Sequence, residues 1–247
     1  MNSGLYGACA GLMARTQALD TIAANVANSG STGFRGEENV FGTVLAEAGR
    51  HGRMSALNKA TNSFSQVGDT QIDTTQGAIT RTGNDLDLAI EGPGYFRVQS
   101  ATGITYTRNG HFHADADGRL VTDAGEPVLG DAGVIRLAKG KVSVSASGMI
   151  SCNGVISGKV SLVTFAPGTK LFNHGGSQYG APVGSELPAS QASLQQGALE
   201  GSNVSPMEGV VQLISAQRAA ESMRHALTLI DGEMDRATVQ DLARVNQ

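Results

Sequence analysis

The stretch "LDTIAANVANSGSTGFRG", from Leu19 to Gly36, completes a long amphipathic helix and decides how the N-terminal part of the chain is interpreted. Large apolar residues recur every seven positions along residues 3–28, which predicts a helix with a heptad-type seam formed by Leu5, Leu12, Leu19 and Val26 and flanked by Ala8, Cys9, Ile22 and Ala23. Small residues occupy the opposite side at Gly7, Ala10, Gly11, Ala14 and Ala18. Because small side chains let another backbone come close, we expect this helix to be enclosed on two sides.

The end of the helix is predicted at Asn28, Ser29 and Gly30, since Asn and Gly tolerate the left-handed conformation of a C-terminal cap. Asn25 lies one turn earlier, and its spacing is compatible with two roles for its side chain. The helix could simply fray toward its cap, or the Asn25 and Asn28 amides could bond a neighbouring chain or the following loop.

The composition is unusual for a chain of 247 residues, with 16% charged residues, 4% aromatic residues and 33 glycines. So little charge suggests that much of the surface faces protein rather than water. The formal net charge of -4 provides no basic stripe for a phosphate backbone, so we expect no nucleic-acid partner. No run of 18 or more apolar residues predicts a membrane-inserted helix, and no secretory signal is recognised at the N-terminus.

The central part of the chain changes character twice. Residues 37–75 lie in a Gly-, Ser-, Thr- and Asn-rich region that predicts an extended linker, ordered on assembly. Residues 76–200 then alternate short apolar strands with glycine turns, among them Asn109-Gly110 and Asp117-Gly118, where both turn residues of a hairpin need positive φ. This pattern predicts an antiparallel β domain.

The C-terminal segment, residues 201–247, predicts a second long helix. Ser205 is placed as its N-cap, Pro206 at the first helical position and Glu208 as the returning residue of a capping box. Apolar residues then alternate by three and four positions at Leu213, Ala216, Ala220, Met223, Leu227, Ile230 and Met234. We therefore predict an α+β fold in which the N- and C-terminal helices form a coiled-coil-like pair around a central antiparallel β domain.

Few residues suggest chemistry. Asp115, Asp117 and Gly118 resemble the start of a calcium loop but lack its later ligands, which favours a hairpin turn. His111 and His113 could share a metal, although no third ligand stands at a suggestive spacing. Asp85 and Asp87 could pair as carboxylates, but no nucleophile, base and oxyanion set accompanies them. We expect no enzyme activity, cofactor, metal or small-molecule substrate.

Three blocks of the sequence carry a resemblance to a known family. They are the opening stretch, "LDTIAANVANSGSTGFRG"; "QGAITRTGNDLDLAIEGPGYFRV" with "YTRNGHFHADADGRLVTDAGEPVLG"; and "QGALEGSNVSPMEGVVQLISAQRAAE". Over nearly its whole length the chain resembles the flagellar axial proteins of the rod and hook family. It departs from the family pattern at Arg35, where lysine is common, and at Ala220, where an aromatic often stands.

The resemblance implies a structural subunit of the flagellar basal-body rod, with proximal-rod members as the nearest match and distal-rod members as the alternative. Such subunits pass through the flagellar type III export apparatus without a cleaved signal peptide and polymerise in the periplasm with copies of themselves and other rod proteins. Residues 1–36 and 201–247 would build an inner tube. The assembly interface would then comprise Leu5, Leu12, Leu19, Ile22, Asn25, Val26, Asn28, Phe34, Leu213, Ala216, Ala220, Met223, Leu227, Ile230 and Met234. A secreted β-rich adhesin and a metal-dependent enzyme are the rival interpretations.

Overall fold

A computed structural model describes residues 3–40 and 69–245, with side chains described for 11–39, 70–225 and 227–228. These residues form two compact units. The helical unit takes in the described parts of Met1–Val26, Glu37–Thr70 and Pro206–Gln247, and the β unit comprises Ala27–Gly36 and Gln71–Ser205. Most of the predicted linker over residues 37–75 lies outside the described residues.

The first helix, α1, spans Ser3–Ala27 and ends where the Asn28-Ser29-Gly30 sequence predicts. Its predicted left-handed cap is wrong, because φ is positive at neither Asn28 nor Gly30. The backbone turns instead through a hydrogen bond from the Ser31 N–H to the Asn28 carbonyl at 3.0 Å. The left-handed conformation comes later, at Gly33, where φ is +66°.

The second helix, α2, spans Pro206–Val245 and begins directly after Ser205, with Glu208 in its first turn. Its start therefore coincides with the proline that is predicted at the first helical position. The capping hydrogen bonds of Ser205 and Glu208 stay a prediction. Neither described helix is long and apolar enough to cross a membrane.

The predicted coiled-coil-like pairing of the two helices is wrong. Over the described residues the helices approach each other at glycines, Val26 beside Gly209 and Met223 beside Gly11, and no long interlocked pair is formed. The physical reason lies in α1, where a coiled coil needs large knobs about every 3.5 residues. Midway between Leu12 and Leu19 the positions hold Arg15 and Thr16, which are exposed.

Nineteen strands are described between the helices. In chain order they are β1 Glu37–Val40, β2 Asp69–Ile72, β3 Ile79–Arg81, β4 Leu88–Glu91, β5 Tyr95–Ser100, β6 Gly103–Thr107, β7 Phe112–Ala114, β8 Leu120–Thr122, β9 Val128–Gly130, β10 Gly133–Val134, β11 Val142–Val144, β12 Met149–Cys152, β13 Val155–Lys159, β14 Leu162–Phe165, β15 Phe172–Gly175, β16 Gln178–Gly180, β17 Glu186–Pro188, β18 Ser193–Gln196 and β19 Ala198–Glu200.

The largest sheet has eight strands, in the order β10-β9-β5-β6-β16-β15, with β14 also pairing β5 and β17. A three-stranded sheet follows the chain order β11-β12-β13, and β7 pairs β8. Two further pairs join distant parts of the chain: β3 pairs antiparallel with β19, and β4 with β18. Apart from β2, which pairs with β1, the first strands of the β unit pair with its last strands and close it.

Two apolar clusters fill the β unit. One contains fully buried residues such as Phe96, Phe112 and Ile150, with the Phe96 and Phe112 rings edge to face at 5.0 Å. The other gathers aromatic side chains around Tyr179, which is 0% exposed, with Tyr95 and Tyr106. The second cluster lies next to the residues that hold the chain segment after α1, as described below.

The two glycine turns predicted from the sequence differ in how well they match the structure. Asp117-Gly118 lies in the turn that joins β7 to β8, as predicted, and Gly118 has φ +74°. The predicted positive φ at Asp117 is wrong. The prediction of a positive-φ hairpin at Asn109-Gly110 is wrong, because neither residue has positive φ and the strands on either side, β6 and β7, are not paired. Gly110 is instead pressed against the Leu88 carbonyl, which leaves no room for a Cβ.

Candidate functional site

The segment Ser31–Gly36, which ends the opening block of the sequence, is built into the β unit. The Gly33 N–H donates to the Glu200 carbonyl at 2.8 Å, and the Asn203 N–H donates to the Phe34 carbonyl at 3.3 Å. The Asn203 side-chain oxygen accepts from the Gly36 N–H at 2.8 Å. Two parts of the chain that are more than 160 residues apart are therefore tied through their backbones.

A charged cluster lies beneath this junction. Glu200 Oε1 accepts from Arg35 Nη2 at 2.6 Å, and Glu200 Oε2 accepts from Arg108 Nη1 at 2.9 Å. The three side chains are 0 to 4% exposed. The Gly77 N–H adds a further bond to Glu200 Oε1 at 2.9 Å. One carboxylate thus joins three separate parts of the chain, and we call Arg35, Arg108 and Glu200 the buried triad.

Arg108 is also fixed by its surroundings. Its guanidinium donates to the carbonyls of Ile90 at 3.2 Å and Gly92 at 2.6 Å, and it lies 5.5 Å from the centre of the Tyr95 ring. Burial lowers the pKa of Arg108, an effect that the Glu200 carboxylate opposes. Burial likewise raises the pKa of the Tyr95 hydroxyl, and the positive charge of Arg108 opposes that shift.

The charges of the buried triad do not balance, since two guanidinium groups face one carboxylate. Nε and Nη1 of Arg35 and Nε of Arg108 are buried without a hydrogen-bond partner among the described residues. Buried charges are costly unless they are paired and hydrogen-bonded. The burial of both arginines therefore depends on Glu200.

A second junction lies in the helical unit, where Asn25 binds the backbone of Glu37. The Asn25 amide donates to the Glu37 carbonyl at 2.8 Å, and its oxygen accepts from the Glu37 N–H at 2.9 Å. Of the two interpretations of Asn25, the structure shows an amide that bonds the segment following the helix within the same chain. The side chain thus bonds both backbone polar groups of the first residue of β1.

The first turns of α2 have an exposed apolar face. Its members follow the spacing i, i+3, i+4 and i+7, with exposed fractions of 82% for Met207, 44% for Val210, 59% for Val211 and 47% for Ile214. We call these four residues the exposed α2 face. On the other side of the same helix Leu213, Ala216, Met223 and Leu227 are half-buried, and Ala220 is buried.

The remaining residues of the predicted assembly interface lie in different environments. Leu12, Leu19, Ile22, Val26 and Asn28 are half-buried. Phe34, in contrast, is 1% exposed within its own chain. The side chains of Leu5, Ile230 and Met234 lie outside those described. The interface itself stays a prediction.

The residues considered for chemistry take part in local hydrogen bonds. Asp87 binds Thr82, Asn84 and the Nδ1 of His111, with 2.8 Å to the histidine. His113 is exposed, and among the side chains that the structure describes no group of three His, Cys, Asp or Glu residues could hold a metal. The Asp115 carboxylate accepts backbone hydrogen bonds from Asp117 and Arg119, which makes it part of the turn.

Sequence reasoning missed Arg108, Glu200 and Asn203 as a set. Arg35 was noted only as a departure from the family pattern, which commonly has lysine at this position. The sequence did contain one signal: Arg35 and Glu200 are charged residues flanked by glycine and apolar residues. Nothing in local spacing pairs these two residues, because they are 165 positions apart.

Three family descriptions match the chain in its three organised parts. Residues 5–35 match "Flagella basal body rod protein", residues 89–152 match "Flagellar hook protein FlgE/F/G D1 domain", and residues 195–237 match "Flagellar basal body rod FlgEFG protein C-terminal". The matched ranges include Arg35, Arg108 and Glu200.

Curated relatives extend the match to the whole chain. The flagellar basal-body rod protein FlgF of Caulobacter vibrioides is 36% identical and covers 100% of both chains. FlgF of Rhizobium meliloti is 33% identical over 96% of this chain and 97% of its own. FlgG of Bacillus subtilis is 31% identical over 94% of this chain and 96% of its own. The chain therefore belongs to the flagellar basal-body rod protein family that includes FlgF and FlgG.

Proposed function

We propose that this rod subunit polymerises helically, with copies of itself and with other rod proteins, into the drive shaft that transmits torque and encloses the export channel. Its terminal helices build the inner tube of the rod, and the β unit carries no catalytic function. The buried triad and the Asn25–Glu37 junction hold the segments that follow and precede the helices in fixed conformations. Segments of fixed conformation suit a subunit that transmits torque, because a loose segment would absorb the rotation.

The exposed α2 face is the observation that carries the proposal. A surface helix of a monomer normally has one apolar stripe, which it buries against its own core. The first turns of α2 have two, and Met207 remains 82% exposed. Burial of a large apolar side chain contributes about 1.5–3 kcal/mol. Covering the exposed α2 face in each subunit gives polymerisation a driving force.

The relatives support a position in the rod. FlgF of Caulobacter vibrioides is 36% identical to this chain and FlgG of Bacillus subtilis is 31% identical, which favours the proximal rod over the distal rod. The subunit leaves the cytoplasm through the flagellar type III export apparatus, without a cleaved signal peptide, and assembles in the periplasm. Assembly brings the predicted interface residues Leu12, Leu19, Leu213 and Leu227 against neighbouring subunits.

The test replaces one residue of the exposed α2 face in motile cells that depend on this chain. Ile214→Lys places a charge in the contact and is expected to abolish rod completion and swimming. Gln212→Lys is the matched control, because Gln212 is exposed on the same helix outside that face. Both purified variants should retain the urea unfolding midpoint of the parent chain. Normal swimming of a stably expressed Ile214→Lys variant would contradict the proposal.

A further inference from the structure

The β unit is closed by pairs between β3 and β4, near its beginning, and the last two strands before α2. Within the described residues β3 pairs with β19 and β4 pairs with β18. The strands between them include local pairs such as β5 with β6 and β12 with β13. A local hairpin closes a short loop, whereas the terminal pairs close a loop of more than 100 residues and form more slowly.

The segment Ser31–Gly36 needs the same late residues. Its backbone is held by the Glu200 carbonyl and by Asn203, and the Asn203 amide also donates to the carbonyls of Asp73 at 3.2 Å and Thr75 at 3.1 Å. Gly201 donates to Ala78 at 2.8 Å. Residues 31–36, 77–91 and 193–203 thus depend on one another, and we call them the closure region.

The buried triad makes this dependence electrostatic. Without Glu200, the guanidinium groups of Arg35 and Arg108 would be two like charges in the same buried place. Removing one partner of a buried charge pair leaves the other uncompensated, which is strongly unfavourable. Burial of the two arginines before Glu200 is in place is therefore unfavourable.

We propose that the buried triad is a closure latch, which lets the β unit complete its fold only when Ser31–Gly36 and the Glu200 segment are both present. Local hairpins form early, and the closure region orders last, as one cooperative step. The consequence for export rests on the proposed function: a subunit that crosses a channel as an extended chain cannot complete the β unit while either end is still inside. The latch acts whichever end emerges first.

Hydrogen exchange on the purified full-length chain tests the latch. Glu200→Gln keeps the side-chain shape and removes the charge. It is expected to reduce amide protection about tenfold or more throughout the closure region in one step, while Met149–Lys159 of the β12–β13 hairpin keeps its protection. Glu186→Gln is the matched control, because Glu186 pairs with Arg97 at 3.3 Å at a half-exposed site outside the closure region. Loss confined to the neighbours of residue 200, or equal loss at all amides, would overturn the proposal.

A double variant separates a latch from ordinary core packing. Adding Arg35→Met to Glu200→Gln removes one of the two uncompensated charges, so the double variant is expected to regain part of the lost protection. Additive loss of protection would contradict the electrostatic argument. If Glu200→Gln does not fold, Asn203→Ala is used, since it cuts the bonds to Gly36, Asp73 and Thr75 without leaving a buried charge. Joint loss over the closure region is then expected, and loss at residues 36 and 203 alone would refute the latch.

The result is independent of rod assembly. Exchange is measured on the monomer, where Ile214→Lys should leave the closure region protected. If Glu200→Gln does not reduce protection over the closure region but Ile214→Lys abolishes swimming, the latch is refuted and the proposed function is retained. If Glu200→Gln reduces that protection but Ile214→Lys cells swim normally, the proposed function is refuted and the latch is retained.

Discussion

Arg35 and Glu200 form a 2.6 Å ion pair that water does not reach, although 165 residues separate them along the chain. The pair lies in the β unit, and it joins the segment after α1 to the last strand before α2. Since a single nitrogen of Arg35 makes the contact while Nε and Nη1 have no hydrogen-bond partner among the described residues, the guanidinium fork is largely unused.

That unused fork predicts how Arg35 responds to substitution. Arg35→Lys keeps one donor and the charge and removes unpartnered polar atoms, so the free energy of unfolding should change by less than about 1 kcal/mol. Arg35→Met leaves Glu200 paired with Arg108 and removes the charged hydrogen bond to Glu200 Oε1, so it should cost about 1.5–3 kcal/mol. Urea unfolding, followed by near-ultraviolet circular dichroism, measures both. Equal losses for the two variants would show that the shape of the side chain matters more than its charge.

Gly33 and Gly30 provide a matched pair in the same connection. At Gly33 φ is +66°, and a Cβ would collide with the backbone of Arg108 and Asn109. Gly33→Ala should therefore destabilise the β unit by more than about 2 kcal/mol. Gly30 has ordinary φ and no atom within 4 Å of a Cβ, so Gly30→Ala should be neutral or stabilise by about 0.4–1 kcal/mol. Thermal unfolding compares the two variants, and similar midpoints would contradict the close packing at Gly33.

The sequence allowed short strands and the position of the Asp117-Gly118 turn to be predicted, because both depend on local pattern. At Asp117-Gly118 the turn was placed correctly, although only Gly118 has positive φ. Asn109-Gly110 failed because Gly110 is required by the approach of Leu88, a contact between residues distant in sequence. Glycine spacing alone does not distinguish a turn from a close approach.

The helices and the buried triad show where pattern reasoning stops. Leu12 and Leu19 recur at a heptad spacing, yet the exposed Arg15 and Thr16 between them prevent a continuous coiled coil. The pairing of Arg35 with Glu200 is set by the order of strands in the closed β unit. A charge flanked by glycines and apolar residues marks a position of interest, but it does not identify the partner.

Asn25 offers a test of the junction in the helical unit. Asn25→Ala removes both hydrogen bonds with Glu37 and should cost about 1–3 kcal/mol, with faster exchange of the Glu37 amide. Thr16→Ala is the control, because Thr16 is exposed on the same helix and its hydroxyl donates only to the Leu12 carbonyl within α1. Unchanged exchange at Glu37 in Asn25→Ala would contradict the observed geometry.

Alkaline pH should weaken the β unit through Tyr106. Burial, followed by the hydrogen bond to Glu186, raises the pKa of the Tyr106 hydroxyl above its ordinary value of 10.0. A group whose pKa is raised on folding contributes its full stabilisation below the unfolded pKa, and this contribution is lost as pH rises beyond it. The free energy of unfolding should therefore fall as pH rises above about 10.

The substitution Tyr106→Phe removes the hydroxyl that titrates. Tyr106→Phe should be less stable than the parent at pH 8, because the bond to Glu186 is lost, and should lose less stability as pH rises above about 10. Tyr95, whose pKa burial also raises, is retained in both proteins and contributes the same alkaline slope to each. Glu186→Gln should fall between them, since it removes the charged acceptor and leaves the effect of burial. Urea unfolding over this pH range measures the slopes, and parallel profiles for the parent and Tyr106→Phe would show that Tyr106 does not control the alkaline loss.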